Sequence, residues 1–309
     1  PSNSDDGVLV VGGGPAGLEC ALALGQRGYR VILAEASAEL GGRVSRESRL
    51  PGLAEWGRVR DYRVLMLERM ANVTIYRENP LSPDEIFEFS AEDQFDYSHV
   101  LLANGSSWRR NGLGRIHREP IPGLDKLKVF TPDDIMDGVL AKGRVVVFDD
   151  DHFYMGGVLA EKLRREGHDV LLVTPAPDIS TWTHKTLEQK KIQKQLMDLG
   201  VELATQTNLT AAETGKVVLS CIFTERKIER ECDSLLLVTE RIPNDGLFNS
   251  LNSDPERLTN AGIKTLKCIG DSFAPATIAA AVYSGHLAAR GLQAEPQEEV
   301  PFLRERIQL

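Results

Sequence analysis

The residues with the plainest chemical purpose are glycines. Gly12, Gly14 and Gly17 fall in the run Gly12-Gly13-Gly14-Pro15-Ala16-Gly17, directly after the apolar segment Val8-Leu9-Val10-Val11. In a strand–turn–helix unit the first glycine permits a tight turn and the second lets the backbone approach a pyrophosphate. The third lets the helix pack closely on its strand. The helix that follows offers unpaired N–H groups and a positive dipole end to an anion, worth about 0.3–1 kcal/mol and up to ~2 when partly buried. Glu35 comes eighteen residues after Gly17 and is followed by Ala36. A carboxylate at that distance can accept hydrogen bonds from the adenosine ribose hydroxyls and repels a 2′-phosphate. Glycines, helix and terminal acid occur in register, which predicts a site for an adenosine diphosphate moiety.

Three further segments point to the same ligand. Leu40-Gly41-Gly42-Arg43 holds a second glycine pair that can pass close to a pyrophosphate, with Arg43 available to neutralise it. Asn104-Gly105 ends another apolar run, and Asn104 keeps a hydrogen-bonding side chain where threonine is usual. Gly270-Asp271 resembles the late Gly-Asp of FAD-binding proteins, which sits beside the pyrophosphate and ribityl chain. Asp271 also suits a helix N-cap, and the two roles are compatible.

A second unit lacks these features. Residues 143–148 form an apolar strand pattern, residues 158–167 a helix and 169–174 another strand, but the turn between reads Asp149-Asp150-Asp151-His152. Each carboxylate at roughly 5 Å from a phosphate costs on the order of 3 kcal/mol at an effective dielectric near 20. This is a nucleotide fold that has lost its nucleotide, with Gly156-Gly157 serving close helix packing. Consecutive acids on a turn point in different directions, so a solvated or capping turn is favoured over a metal site. Glu240 in Glu240-Arg241-Ile242-Pro243-Asn244 replaces the glycine of the usual Gly-Arg-x-Pro-Asn signature.

The elements that must position these residues alternate strand and helix, which gives the α/β class. Two Rossmann-like nucleotide-binding domains of glutathione-reductase type are expected, the second inserted into the first. Residues 1–140 and 241–309 would form the FAD/ADP-binding domain and 141–240 the degenerate NAD(P)-binding-like one. A length of 309 residues suits two domains, and a net charge of −9 argues against a general nucleic-acid binder. No apolar run reaches the length of a membrane span, so neither membrane nor nucleic acid is an expected partner. Four scattered cysteines and six isolated histidines offer no metal-ligand spacing, and reduced thiols in a cytoplasm are the expectation. Pro1 and the polar stretch after it read as a linker into a domain, so a longer polypeptide is expected.

Beyond these patterns, the chain resembles the C-terminal half of the trimethylamine, dimethylamine and histamine dehydrogenase family. The likeness rests on VLVVGGGPAGLE, LPGLAEWGRVRDYR (50–63), ANGSSWR (103–109), TPDDIMDG (131–138) and FYMGGVLAEKL (153–163). It implies an N-terminal (β/α)₈ barrel with FMN and the amine site, then a [4Fe–4S] cluster, in a missing segment or a partner subunit. It also implies ADP, alternatively FAD, in this chain, and electrons passed to an electron-transfer flavoprotein or similar acceptor. A homo-oligomer is expected. Bulky groups from residues 43–63 would fill the isoalloxazine space and limit the site to ADP; a surface helix with solvated arginines and Trp56 packed on the core is the alternative. The competing functions are a free-standing FAD-dependent oxidoreductase or reductase subunit, and a pure interaction module.

Overall fold

The computed structural model describes residues 6–91, 97–139 and 141–293. Most of the opening linker stretch (1–5) and residues 294–309 of the expected first domain lie outside them. Strand β1 (Gly7–Val11) is buried at every position and its side chains alternate. Val8 and Val10 enter one core, Leu9 and Val11 the core on the other face of the sheet. This double burial explains why the strand is apolar throughout. Helix α1 (Pro15–Gln26) starts on a proline, tolerated there because the first-turn N–H has no partner within the helix.

The chain continues through β2 (Arg30–Ala34), α2 (Arg43–Glu47), α3 (Arg58–Leu67) and β3 (Val73–Tyr76). Helix α4 (Pro83–Ala91), β4 (His99–Leu102) and β5 (Ser106–Trp108) follow. The next elements are β6 (Lys128–Phe130), α5 (Pro132–Met136), β7 (Arg144–Asp149), α6 (Tyr154–Arg165), β8 (Asp169–Val173), α7 (Gln189–Asp198) and β9 (Glu202–Ala204). Strands β10 (Thr207–Glu213), β11 (Lys216–Cys221) and β12 (Lys227–Glu231) pair antiparallel. Then come β13 (Ser234–Val238), β14 (Arg241–Pro243), α8 (Gly246–Asn252), α9 (Pro255–Asn260), β15 (Thr265–Cys268) and α10 (Ile278–Gly291).

Two five-stranded sheets result, ordered β15-β4-β1-β2-β3 and β6-β13-β7-β8-β9, and all their recorded pairings are parallel. The whole second sheet is drawn from sequence between β4 and β15 of the first. Its edge strand β6 lies ahead of residue 141. Strand β7 repeats the logic of β1: Val145 and Val147 face one core, Val146 and Phe148 the other. The antiparallel pair β14–β5 lies outside both sheets.

The first strand–turn–helix unit depends on two contacts that a Cβ would destroy. Gly12 has φ +106°, and a Cβ on it would lie 2.4 Å from the Ala103 carbonyl oxygen. A Cβ on Gly17 would lie 1.9 Å from the Gly12 carbonyl oxygen. Gly17→Ala must therefore push α1 off β1, and a loss of about 1–3 kcal/mol is expected in urea unfolding. An unchanged midpoint would show that helix and strand do not need this approach.

Candidate nucleotide-binding cleft

A single cleft of about 1330 Å³ runs along the C-terminal end of β1 and onward to α6. Gly12, Gly14, Pro15, Ala16, Glu35, Ala36, Gly42, Arg43, Asn104, Gly105 and Asp271 all line it. Gly17 does not; it acts beneath the turn. Gly14 is the open position: its backbone is extended (φ −74°, ψ −177°) and a Cβ there would meet no atom within 4 Å. No side chain caps α1, so its first-turn N–H groups remain for a ligand in the cleft.

Glu35 is held by the chain itself. Its Oε2 accepts the Gly13 N–H at 2.6 Å, while Oε1 accepts the Ser37 N–H at 2.8 Å and the Ser37 hydroxyl at 2.7 Å. A carboxylate has about four acceptor positions, so one on Oε2 is left for a ribose hydroxyl. The glycine pair comes close as expected: the Gly41 N–H donates to Gly13 O at 2.7 Å, and a Cβ on Gly42 (φ +53°) would sit 3.2 Å from Gly14 Cα.

Arg43 lines the cleft and is also held by the chain. Its guanidinium donates to Asp133 Oδ1 at 3.0 Å and to Ser106 O at 2.7 Å. Asp133 also receives Arg46 at 3.2 Å and the Trp108 N–H at 2.9 Å. The TPDD run explains this placement, because Thr131 and Asp134 form a capping box with Pro132 in the first turn, which fixes α5 and its Asp133. Asp271 is not the N-cap of α10; Thr277 is. The Asp271 carboxylate instead accepts the Ser106 hydroxyl at 3.0 Å, the Ala276 N–H at 3.1 Å and the Arg241 guanidinium. Asn104 Oδ1 is buried in the cleft wall without a partner among the described residues, a polar atom left for a ligand donor.

In the stretch 43–63, Trp56 packs against the core and Arg49 and Arg58 are exposed, as the surface-helix alternative expects. Arg43, Arg46, Arg49 and Trp56 line the cleft, whereas Arg58, Arg60 and Arg63 do not. All six arginines are ion-paired, with Arg63 reaching Glu19 at 2.7 Å and Arg58 reaching Glu55 at 2.8 Å. Sequence reading missed Glu47 altogether. This side chain lines the cleft yet is nearly buried, and burial, opposed by Arg43 and Arg241, pushes its carboxyl up to about 7. Spacing gives no sign of it; only the packing of α2 does.

The second strand–turn–helix unit is closed from within. Asp149 and Asp150 are fully buried, so the expected solvated turn is corrected, and no side chain caps α6. Asp149 Oδ1 accepts the N–H groups of Asp151 at 3.1 Å and His152 at 3.0 Å. Its carboxyl carbon lies 2.4 Å from where a Cβ on Gly156 would be, so it packs against the first turn of α6. Burial, reinforced by the Asp151 charge, pushes this carboxyl up to about 7 against the pull of its N–H donors. Asp150 Oδ2 accepts the Ile116 N–H at 2.9 Å. Gly157 serves the close packing expected of it, since a Cβ there would lie 2.9 Å from Ser180 Oγ. Among the described residues no group of three His, Cys, Asp or Glu side chains could hold a metal ion.

The pyridine nucleotide-disulphide oxidoreductase model matches residues 6–265. The chain belongs to that family. It is 34% identical to dimethylamine dehydrogenase of Hyphomicrobium sp. (strain x), over 99% of this chain and 44% of that protein. The histamine dehydrogenase structure from Rhizobium sp. 4-9 superposes with a TM-score of 0.95 at 44% identity, covering all of this chain and 47% of its own. A 6-hydroxypseudooxynicotine amine oxidase structure from Pseudomonas geniculata N1 gives 0.90 at 40% identity, covering 95% and 43%. The chain thus spans under half the length of these relatives, and its resemblance to the amine dehydrogenases is borne out. No described helix is long and apolar enough to cross a membrane.

Two predictions follow from the contrasting turns. Gly14→Val points its side chain into open space, so apo stability should change by under about 1 kcal/mol. Nucleotide affinity should nevertheless fall more than tenfold in a calorimetric titration; retained affinity would remove Gly14 from the site. For Asp149 the folded carboxyl titrates near 7, above its ordinary 3.8. Between those values the native state holds a proton that the unfolded state has released, so this group lowers stability as pH rises through that window. Asp149→Asn keeps the acceptor and cannot ionise, so unfolding midpoints measured from pH 4 to 7 should lose that downward contribution relative to the parent. Parallel pH profiles would disprove it.

Proposed function

We propose that this chain is the nucleotide-binding, non-catalytic portion of an amine-dehydrogenase-type iron–sulfur flavoprotein, corresponding to the C-terminal half of its relatives. The carrying observation is the pair of turns: Gly14 faces open cleft, while the turn before α6 carries the buried Asp149 and Asp150 in place of glycines. That acidic turn disfavours the phosphates of a dinucleotide reductant, which argues against hydride delivery here. Residues 1–140 with 241–309 form the nucleotide domain in this reading, and 141–240 the degenerate one.

ADP is the proposed ligand. Gly12, Gly14, Pro15, Ala16, Gly42 and the α1 N–H groups would hold the pyrophosphate, Gly17 keeps the helix in place, and Glu35 and Ala36 border the ribose. Asn104, Gly105 and Asp271 border the far end. Arg43, tied to Ser106 and Asp133, bridges the stretch between the Gly42 loop and Asp271, the direction a ribityl chain would take. Bound only to the native state, ADP stabilises the fold by linkage. In the whole enzyme, amine oxidation at FMN and transfer through a [4Fe–4S] cluster to an electron-transfer flavoprotein or similar carrier would be carried by the rest of the polypeptide or a partner subunit. A homo-oligomer in the cytoplasm completes the reading.

One observation favours a second reading, an FAD-dependent oxidoreductase: the cleft of about 1330 Å³ exceeds the ~300–1,000 Å³ of ordinary ligand pockets and continues past Asp271 to Trp56 and Tyr154. Mass spectrometry of the nucleotide released on denaturation decides between them. Stoichiometric ADP without absorbance at about 450 nm is expected; stoichiometric FAD would overturn the ADP assignment.

A further inference from the structure

One carboxyl in the cleft has no part in the ADP grip described above. Glu47 lies on α2, one turn beyond Arg43, and its side chain lines the cleft although the residue is only 6% exposed. Among the described residues its carboxyl accepts no hydrogen bond, and its single ion pair is a long one, from Arg43 Nε to Oε1 at 4.0 Å. A carboxylate buried this far is normally matched by donors or by a cation of its own.

The charges around it balance without it. Arg43 and Arg46, on the same helix, pair with Asp133 at 3.0 and 3.2 Å, and Arg46 also meets Asp137 at 2.7 Å. Arg241, on β14, pairs with Asp271 and donates to the Ala276 carbonyl oxygen at 2.6 Å. The residues packed on α2 from 54 to 67 bring Glu55 with Arg58, Arg60 with Glu39 and Asp61, and Arg63 with Glu19, all closed pairs. The three guanidinium groups whose charge reaches Glu47 thus meet three other carboxylates, Asp133, Asp137 and Asp271. An ionised Glu47 leaves this group with a negative excess in the cleft where a phosphate has to sit. A protonated Glu47 leaves it neutral. The titration agrees in direction: burial outweighs Arg43 and Arg241 and pushes the carboxyl up to about 7, with Asp271 adding to the push.

We propose that Glu47 is a specificity residue that holds a proton in the nucleotide-bound protein: a ligand ending in a free phosphate enters together with a proton taken from solvent onto this carboxyl. The inference rests on the ADP reading. A terminal phosphate carries up to about one negative charge more than a phosphate esterified onward, as in a dinucleotide. Its entry is opposed most when Glu47 is ionised, and uptake of the proton removes that opposition. Glu47 is a positioning residue that tunes the field met by an anion at the α1 N–H groups.

The test titrates ADP into the 309-residue chain, freed of nucleotide, by calorimetry at about pH 6.5, 7.5 and 9. Below its titration Glu47 is already protonated and does not oppose ADP; above it, each binding event must recharge the carboxyl. ADP affinity should therefore fall about tenfold from the lowest pH to the highest, the effect of moving one carboxyl's titration by about one unit. At the middle pH, buffers of different ionisation enthalpy should show roughly half a proton taken up per ADP bound. Glu47→Gln keeps the size and cannot ionise, so its affinity should stay level with pH and the uptake should vanish. A parent chain with level affinity and no proton uptake overturns the proposal without any variant. A Gln variant that keeps the parent's profile overturns it as well. Level binding of ADP leaves the nucleotide assignment standing and removes only the role of Glu47, whereas no binding at any pH overturns both.

Discussion

A strand that turns sharply into a helix leaves backbone N–H groups without partners, and something must accept their hydrogen bonds. The two α/β units build this turn differently. After β1 the turn is bare glycine, no side chain caps α1, and the space beside Gly14 is open. After β7 no side chain caps α6 either, but the Asp149 carboxyl takes the N–H groups of Asp151 and His152 within the turn and packs against Gly156. One turn is left open and the other is filled by a side chain.

The first unit was legible in the sequence because its constraint is local. Glycine spacing, an apolar strand and an acid at the end of the next strand all act within residues 8–42, and the structure places them as expected. The aspartates at 149–151 were legible only by sign: charge alone suggested solvent exposure, yet Asp149 and Asp150 are wholly buried. A backbone that wraps its N–H groups around a carboxylate cannot be read from three acids in a row. Glu47 was invisible for a related reason, since a single glutamate in an arginine-rich stretch carries no mark of its burial.

The motifs LPGLAEW, ANGSSWR, TPDD and FYMGG share a spatial logic absent from their linear order. Trp56, Ser106, Asp133 and Tyr154 come from four separate segments and all line one cleft. Arg43 and Arg46 read as free cations in sequence, and each finds the Asp133 carboxylate ninety or so residues away. Long-range ion pairs of this kind follow from how α5 docks, and α5 is fixed by its own capping box.

Asp133 also has a mechanical consequence. It stands on α5, which packs against α6 and β13 of the second lobe, while Arg43 and Arg46 belong to the first. The Trp108 N–H, on the strand between the lobes, closes the same carboxylate from the other side. Trp108 packs in the core of the second lobe, so rotating the lobes apart would strip the two guanidinium donors together and leave the third in place. Opening would then be a stepwise release of that pair and not a continuous breathing of the cleft.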